Sequence, residues 1–396
     1  MDQYLTPEEV AFRSEVRAFV RDNLPPALAA KSQAQTHLSR ADVASWQAIL
    51  FRQGWGAPSW PKEHGGPGWS LMQRIIFEEE CAAAGAPALS PFGLSMVGPV
   101  IYTYGTPEQK ARYLPKILSG EEFWCQGFSE PGAGSDLSGL STRAVLDGDH
   151  YVVNGSKIWT SQAHQADMIF MLVRTDLQAK KQSGISFLLM DMKTPGITIN
   201  PLISIDDGHS LNQTFYENVR VPRANLVGDE NRGWNYAKFL LSHERKMSAD
   251  IAGVKARLGL LKQVARGEQS AGQPLTDDPL FSFKMAGAEI EALALETTNF
   301  RLLLTAPDDE RSMQAASMMK LRGSEVQQLL QELIVEGLGH NGLPYGQQED
   351  GSHRPPSGPA YADGRVEDYL FRRAATIYAG SSETQRNILA KMLFGA

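Results

Sequence analysis

Tyr151-Val152-Val153-Asn154-Gly155-Ser156-Lys157-Ile158-Trp159 is the stretch on which the fold turns. β-Branched and aromatic residues flank an Asn-Gly pair, the dipeptide that most readily takes the positive φ values of a tight hairpin. The segment therefore predicts two short strands joined at Asn154-Gly155. Three further β-rich runs follow, Met168–Arg174, Ile185–Met192 and Gln213–Val221, each bounded by Gly, Pro, Asn or Asp. A central β domain is expected over residues 124–230.

On either side the period changes to that of helices. Thr6-Pro7-Glu8-Glu9 reads as a capping box with proline at the first helical position, and Phe12, Val16, Phe19 and Val20 follow as an apolar stripe. A loop rich in Gly, Pro and Trp runs from Gly54 to Trp69, and helices are expected at Leu71–Ala84 and Pro107–Leu118. Residues 1–123 thus form an N-terminal helical domain. From Asn231 the helical period returns, so residues 231–396 form a C-terminal α-helical bundle, with a long polar loop expected between Leu343 and Asp368. The order α, β, α gives an α+β fold of three blocks rather than alternating βαβ units. A chain of 396 residues is long enough for two or three domains.

Charge and cysteine usage exclude several classes. The net charge is −7 without a block of like charges, which argues against nucleic-acid binding. No apolar run reaches the ~20 residues of a membrane span, and the start, MDQYLTPEEVAFRSEV, lacks the apolar core of a signal peptide. Cys81 and Cys125 have neither a pairing pattern nor metal-ligand spacing, so both are expected as buried small hydrophobes and no metal is expected. A cytoplasmic protein is the resulting expectation.

Three motifs could carry chemistry. Gly337-Leu338-Gly339-His340-Asn341-Gly342 matches the dinucleotide fingerprint GxGxxG. However, the preceding Glu325–Glu336 is helix-like, and Pro344 stops a helix from opening after it. Ser129-Glu130-Pro131-Gly132-Ala133-Gly134-Ser135-Asp136 is either a loop whose backbone N–H groups cradle phosphates or a polar connection between two zones. The third is Glu244. Ala237, Leu240, Met247, Ile251, Val254, Leu258 and Leu261 form a 3-4 stripe on a helix from Asn231, and Glu244 stands in it between Leu240 and Met247. A desolvated carboxylate there is suited to general-base work, or is held structurally by Arg245 or His243.

Together these residues resemble the acyl-CoA dehydrogenase family over nearly the whole chain. The resemblance is carried by Gly127-Phe128-Ser129-Glu130-Pro131-Gly132-Ala133-Gly134-Ser135-Asp136, by Asn154-Gly155-Ser156-Lys157-Ile158-Trp159-Thr160-Ser161, and by Ile377-Tyr378-Ala379-Gly380-Ser381-Ser382-Glu383-Thr384-Gln385-Arg386. It points toward large subunits of bacterial enzymes acting on pimeloyl-CoA and toward relatives in steroid side-chain degradation. It implies an N-terminal helical domain, a β-barrel-like middle and a C-terminal four-helix bundle, with FAD as cofactor, an acyl-CoA substrate and an electron-transfer flavoprotein as acceptor. By motif, Gln126, Phe128 and Ser129 line the flavin ring with Trp159 and Ser161 on its other side. Ser135 lies near the FAD or CoA phosphates, and Gly380, Ser381 and Glu383 meet the adenylate part. The implied reaction is α,β-dehydrogenation, in which a carboxylate takes the α-proton and the β-hydrogen leaves as hydride to flavin N5.

Two departures inform the reading. Many members carry the base within a Tyr-Glu-Gly-Thr motif, where this chain has Ala379. Relatives specific for isovaleryl and long chains carry it on the helix opening the C-terminal domain, followed by Arg. Glu244-Arg245 matches that pattern, so Glu244 is expected as base with Arg245 beside it at the substrate. Secondly, Glu268-Gln269-Ser270-Ala271-Gly272-Gln273-Pro274 has an acid where homotetrameric members hold the FAD pyrophosphate of a neighbour with Arg, and Glu336 replaces a Gln before Gly339-His340-Asn341-Gly342. An α2β2 assembly with a homologous subunit accounts for both losses; a homotetramer or homodimer with altered contacts is the alternative. A non-catalytic or half-site subunit and an acyl-CoA oxidase on the same scaffold are the other readings. The acyl group is expected to be dicarboxylic or steroid-derived, in a cavity lined by Phe92–Pro99, Leu240 and Leu241.

Overall fold

Side-chain oxygens set the starts of the N-terminal helices. In the computed structural model, which describes residues 5–33, 38–247, 250–303, 310–344 and 358–395 (without side chains at 242–247, 303 and 310–314), α1 spans Pro7–Asn23. Thr6 Oγ1 accepts from the Glu9 N–H at 3.3 Å while Glu9 Oε2 accepts from the Thr6 N–H at 2.8 Å. After α2 (Pro26–Gln33), the same reciprocal device opens α3 (Arg40–Arg52) through Ser39 and Asp42 and α4 (Leu71–Ala83) through Ser70 and Gln73. Phe12, Val16 and Val20 bury against Trp46, Leu50, Trp55 and Phe77 in one core. A π-helical turn, Phe92–Val97, then runs into α5 (Gly98–Tyr104), and Thr106 and Gln109 box the start of α6 (Pro107–Ser119).

The middle of the chain forms one curled seven-stranded sheet. Its strands are β1 (Trp124–Gly127), β2 (Arg143–Asp147), β3 (His150–Lys157), β4 (Met168–Arg174), β5 (Ile185–Asp191), β6 (Ile197–Leu202) and β7 (Leu211–Pro222). They lie in the order β1-β4-β2-β3-β7-β6, with β5 also on β4. Side-chain alternation along β4 shows why the sheet sits between two layers. Met168, Phe170 and Leu172 enter a core shared with the N-terminal helices, whereas Ile169, Met171 and Val173 enter a second core with β3 and β7. Cys125 is buried and Cys81 half-buried, both unpaired.

The structure corrects the hairpin expected at Asn154-Gly155. β3 passes straight through that pair, bonded to β2 on one side and β7 on the other, and the β3–β7 register shifts between Val153 and Gly155. The position is therefore a bulge. Gly155 takes φ +148°, and a Cβ there would come within 2.7 Å of Thr142 Cα, so glycine serves a close backbone approach. The tight turn lies one step earlier, between Asp147 and His150, where Gly148 has φ +63°.

A second correction concerns the single helix expected from Asn231. Two helices occupy this region, α7 (Gly233–Met247) and α8 (Ile251–Gly267). Asp250 stands before α8 in the left-handed region at φ +46°, its Oδ1 accepting from the Gly253 N–H at 3.2 Å. The apolar stripe accordingly serves two cores: Ala237 and Leu240 join the core under the sheet, while Val254 and Leu261 join the bundle. A small hairpin follows, β8 (Gln269–Ser270) with β9 (Gln273–Pro274), and then α9 (Pro279–Leu303) and α10 (Glu310–Leu338). Of the loop expected at Leu343–Asp368, residues 345–357 lie outside the described residues, and α11 (Arg365–Phe371) already begins within it. The last helix, α12 (Ser382–Phe394), packs on α10.

Candidate active site

Glu130 organises the first motif. The Glu130 and Ala133 backbones exchange hydrogen bonds of 3.0 Å in both directions, so Pro131-Gly132 forms a closed two-residue turn. The Glu130 carboxylate accepts from the Ser141 N–H at 2.7 Å, the Thr142 N–H at 2.9 Å and Lys157 Nζ at 2.8 Å. Lys157 is fully buried and also donates to the Phe128 carbonyl at 3.1 Å. Burial alone would raise the Glu130 carboxyl, but the Lys157 ammonium and the hydrogen bonds hold it down at about 2. Burial pushes the Lys157 ammonium down, to about 8, against the pull of Glu130.

This pair joins two segments 27 residues apart in sequence. Next to it the Ile158 N–H donates to the Ser129 carbonyl at 2.9 Å, and the following residue, Trp159, turns its backbone to φ +58° with its side chain 58% exposed. A large indole presented to solvent from a left-handed backbone is an apolar plane held open beside the Phe128-Ser129 segment. Phe128 itself is buried, edge-on to Phe170 and Phe187 at 5.8 and 6.2 Å. Ser129 and Ser161 are half-buried. Gln126 Nε2 and Thr160 Oγ1 are buried with no hydrogen-bond partner among the described residues. These orphaned polar atoms beside an open apolar face fit the heteroatom-rich ring of a flavin.

Ser135 is exposed; its neighbour Asp136 pairs with Lys181 at 2.9 Å. Beyond Lys181 a groove of about 420 Å³ opens, lined by Gln182 and by Asn231, Arg232, Asn235 and Lys238 around the start of α7. Farther along α7, Ala237 and Leu240 pack in one core with Leu94, Met96 and Val97 of the π-helical turn. Trp60 Nε1 donates to the Leu94 carbonyl at 2.6 Å, so the indole takes up a carbonyl of that turn. Interruptions of this kind concentrate at functional sites. Glu244 and Arg245 follow Leu240 on α7, and their side chains lie outside the described residues.

The C-terminal motif stands on the bundle. The turn just before it is tied to α10, with Lys320 Nζ donating to the Ala375 carbonyl and Gln328 Nε2 to the carbonyls of Arg372 and Arg373, and within the motif Arg386 reaches Glu325 at 3.1 Å. Tyr378 is exposed, and Ala379 and Gly380 follow with φ +55° and +88°. Ser381 caps α12 through the Thr384 N–H, with Glu383 exposed in the first turn. Ser382 Oγ and Gln385 Oε1 are buried and unpartnered among the described residues. The structure thus brings Phe128, Ser129 and Trp159 together and places Gly380, Ser381 and Glu383 on a separate element. Sequence reasoning gave Lys157 no role, because only its contact with Glu130, across the sheet, reveals one.

Comparison with known proteins is decisive. Family models described as acyl-CoA dehydrogenase N-terminal, middle and C-terminal domains match residues 6–121, 125–219 and 231–394 in turn. The chain belongs to the acyl-CoA dehydrogenase family. This acyl-CoA dehydrogenase, an oxidoreductase by its family, is 35% identical over 395 residues to acyl-CoA dehydrogenase IpdE1 of Mycobacterium tuberculosis, covering 97% of each chain. It is similar to the Tcur3481–Tcur3483 steroid acyl-CoA dehydrogenase, with a TM-score of 0.85, 31% identity and coverage of 100% of this chain and 99% of that one. The ChsE4–ChsE5 complex from Mycobacterium tuberculosis matches with a TM-score of 0.83 and 32% identity over 99% of this chain and 98% of that one. The fold is the one expected from the resemblance: a helical N-terminal domain, a curled β-sheet domain and a C-terminal helical domain. No helix among the described residues is long and apolar enough to cross a membrane.

Proposed function

We propose that this acyl-CoA dehydrogenase removes hydrogen across the Cα–Cβ bond of a steroid-derived or dicarboxylic acyl-CoA, with Glu244 as the base. The carrying observation is the juxtaposition fixed by Lys157, which sets the Phe128-Ser129 backbone and the open indole of Trp159 side by side with Gln126 Nε2 unpaired. Gln126, Phe128, Ser129, Trp159 and Ser161 would hold the ring of FAD, and Gly380, Ser381 and Glu383 its adenylate part. Bound FAD supplies the acceptor for the β-hydrogen. The Glu244 carboxylate takes the α-proton, while Arg245 lies beside it at the substrate. The Ala379 N–H, presented by a left-handed backbone, is the donor aimed at the thioester oxygen, where negative charge develops as the proton leaves. Ser135 and the basic groove at Arg232 and Lys238 receive the anionic CoA end. An electron-transfer flavoprotein takes the electrons onward.

The assembly is α2β2 with a homologous subunit. By the resemblance, Glu268 and Glu336 stand where a pyrophosphate would need cations; Glu268 is engaged by Asn341 at 3.1 Å and the Tyr361 hydroxyl at 2.8 Å, and Glu336 by Lys284 at 2.6 Å. α9 also exposes Leu280, Phe283, Ile290 and Leu293 at helical spacing, a face that needs covering. The heteromeric complexes among similar structures support the same reading.

The test is Glu244→Gln in flavin-loaded protein. Flavin content should stay, and anaerobic bleaching by acyl-CoA should slow by roughly 10²–10⁴-fold. Bleaching at the wild-type rate would remove Glu244 from the role.

A further inference from the structure

β4 ends at Arg174, and Thr175 follows it. The Arg174 side chain is buried, yet its guanidinium donates only to backbone carbonyls. Nη1 reaches the carbonyls of Lys181 at 2.8 Å and Ser183 at 3.0 Å, and Nη2 those of Ser138 at 2.7 Å and Leu140 at 3.3 Å. Among the described residues no carboxylate pairs with it. Glu130 is committed to Lys157, and Asp176 accepts from the Gln178 and Ala179 N–H groups. A buried charge held by four carbonyls is an unusual choice for plain packing, since an apolar side chain would cost less. The planar fork of donors, however, lets one side chain hold two loops at once.

Both loops belong to the groove region. The first follows the Gly-rich motif, where Ser138 Oγ donates to Asp136 at 2.7 Å, and Lys181 Nζ of the second donates to Asp136 at 2.9 Å. The two are thus joined by an ion pair on the exposed side and by Arg174 on the buried side. Thr175 ties in the approach to α7. The Asn231 N–H donates to Ser186 Oγ at 2.8 Å, the Ser186 and Thr175 hydroxyls meet at 2.7 Å, and Thr175 Oγ1 donates to Asn231 Oδ1 at 2.7 Å, which closes a ring. Gly233 then passes so near β5 that a Cβ would come within 2.5 Å of the Ser186 carbonyl carbon. Ser183, held by Arg174, and Asn231, held by Thr175, stand in the wall of the 420 Å³ groove with Arg232 and Lys238.

We propose that Arg174 and Thr175 are positioning residues for the nucleotide end of CoA: from beneath, they set the Lys181–Ser183 loop against the start of α7, so that the groove is formed before the anion enters. Neither residue lines the groove, so the effect passes through the walls. Walls ordered in advance spare the ligand the cost of ordering them. This rests on the reading above that the groove receives CoA, and it assigns that groove its support.

The experiment uses flavin-loaded protein, with its partner subunit where flavin retention requires one. Free coenzyme A and pantetheine, which lacks the phosphates and the adenosine, are titrated by calorimetry. Wild type should bind coenzyme A more tightly by roughly tenfold or more. Arg174→Lys keeps the charge but cannot span both loops, and Thr175→Val breaks the hydroxyl ring. Each should cut the preference by roughly three- to tenfold, the worth of one hydrogen bond, with flavin content and pantetheine affinity unchanged. An undiminished preference in either variant would overturn the proposal. So would equal weakening of both ligands with loss of flavin, the mark of a merely structural role; should one variant alone lose flavin, the other decides. Arg232→Ala with Lys238→Ala tests the groove itself. Full preference in that double variant, or none in wild type, would strike the CoA reading on which the proposal rests. Loss there with none at Arg174 and Thr175 would strike the positioning alone.

Discussion

The middle sheet and the C-terminal bundle solve the same problem, positioning polar groups around a ligand, in opposite ways. In the sheet, Glu130 and Lys157 are buried together and satisfied by each other and by the Phe128, Ser141 and Thr142 backbones. The Phe128-Ser129 segment is thereby tied to the strand end that leads into Trp159. In the bundle, Ser382 and Gln385 hold unpaired buried oxygens, Ala379 sits in a left-handed backbone, and α9 shows Phe283 79% exposed. That half is shaped to be finished by something else. The sheet, too, leaves Gln126 Nε2 and Thr160 Oγ1 unpaired among the described residues, but beside a backbone that its own ion pair holds.

The contrast breaks most sharply at the buried ion pair. Lys157→Met leaves the Glu130 carboxylate buried and unpaired, an expected loss of about 3–5 kcal/mol in denaturant unfolding. Lys157→Met with Glu130→Gln should recover part of it. The pH dependence follows from the sign of the shift. The folded Glu130 carboxyl is held at about 2 against an ordinary 4.5, so its stabilisation is complete above 4.5 and is lost as the pH falls toward 2. Glu130→Gln should flatten the stability curve in that acid window; an unchanged curve would mean that the pair does not order the sheet.

Gly155 is a smaller lever on the same domain. Gly155→Ala forces a Cβ against Thr142 at φ +148°, with an expected cost of about 1–3 kcal/mol and a weaker hold on Trp159, read as lower flavin affinity. On the bundle, Phe283→Glu should change the unfolding free energy of the chain alone by within about 0.5 kcal/mol. It should nevertheless abolish association with the homologous subunit, read by the mass of the co-purified complex. A complex of full mass would show that α9 faces solvent in the assembly.

The sequence disclosed what period and local chemistry govern. The capping box at Thr6 is short-range, and the Gly127–Asp136 and Asn154–Ser161 motifs are contiguous, so these could be read directly, whereas the boxes of the same kind at Ser39, Ser70 and Thr106 emerged only with the structure. Long-range competition hid the rest. Asn154-Gly155 carried the stronger turn signal, but Gly148 made the turn and Gly155 was needed where the backbone passes Thr142. The stripe through Glu244 ran in register across two helices that bury into different cores, so its continuity was accidental beyond Met247. The partnership of Glu130 with Lys157 exists only in three dimensions.

The proposed dependence of the bundle on a homologous subunit is tested most directly by the flavin content of this chain, purified alone and with that subunit. The account predicts little flavin on the chain alone and restoration on co-expression, to one flavin for each pair of unlike chains. One flavin per chain without any partner would contradict it, because the bundle would then close the phosphate end of the site unaided.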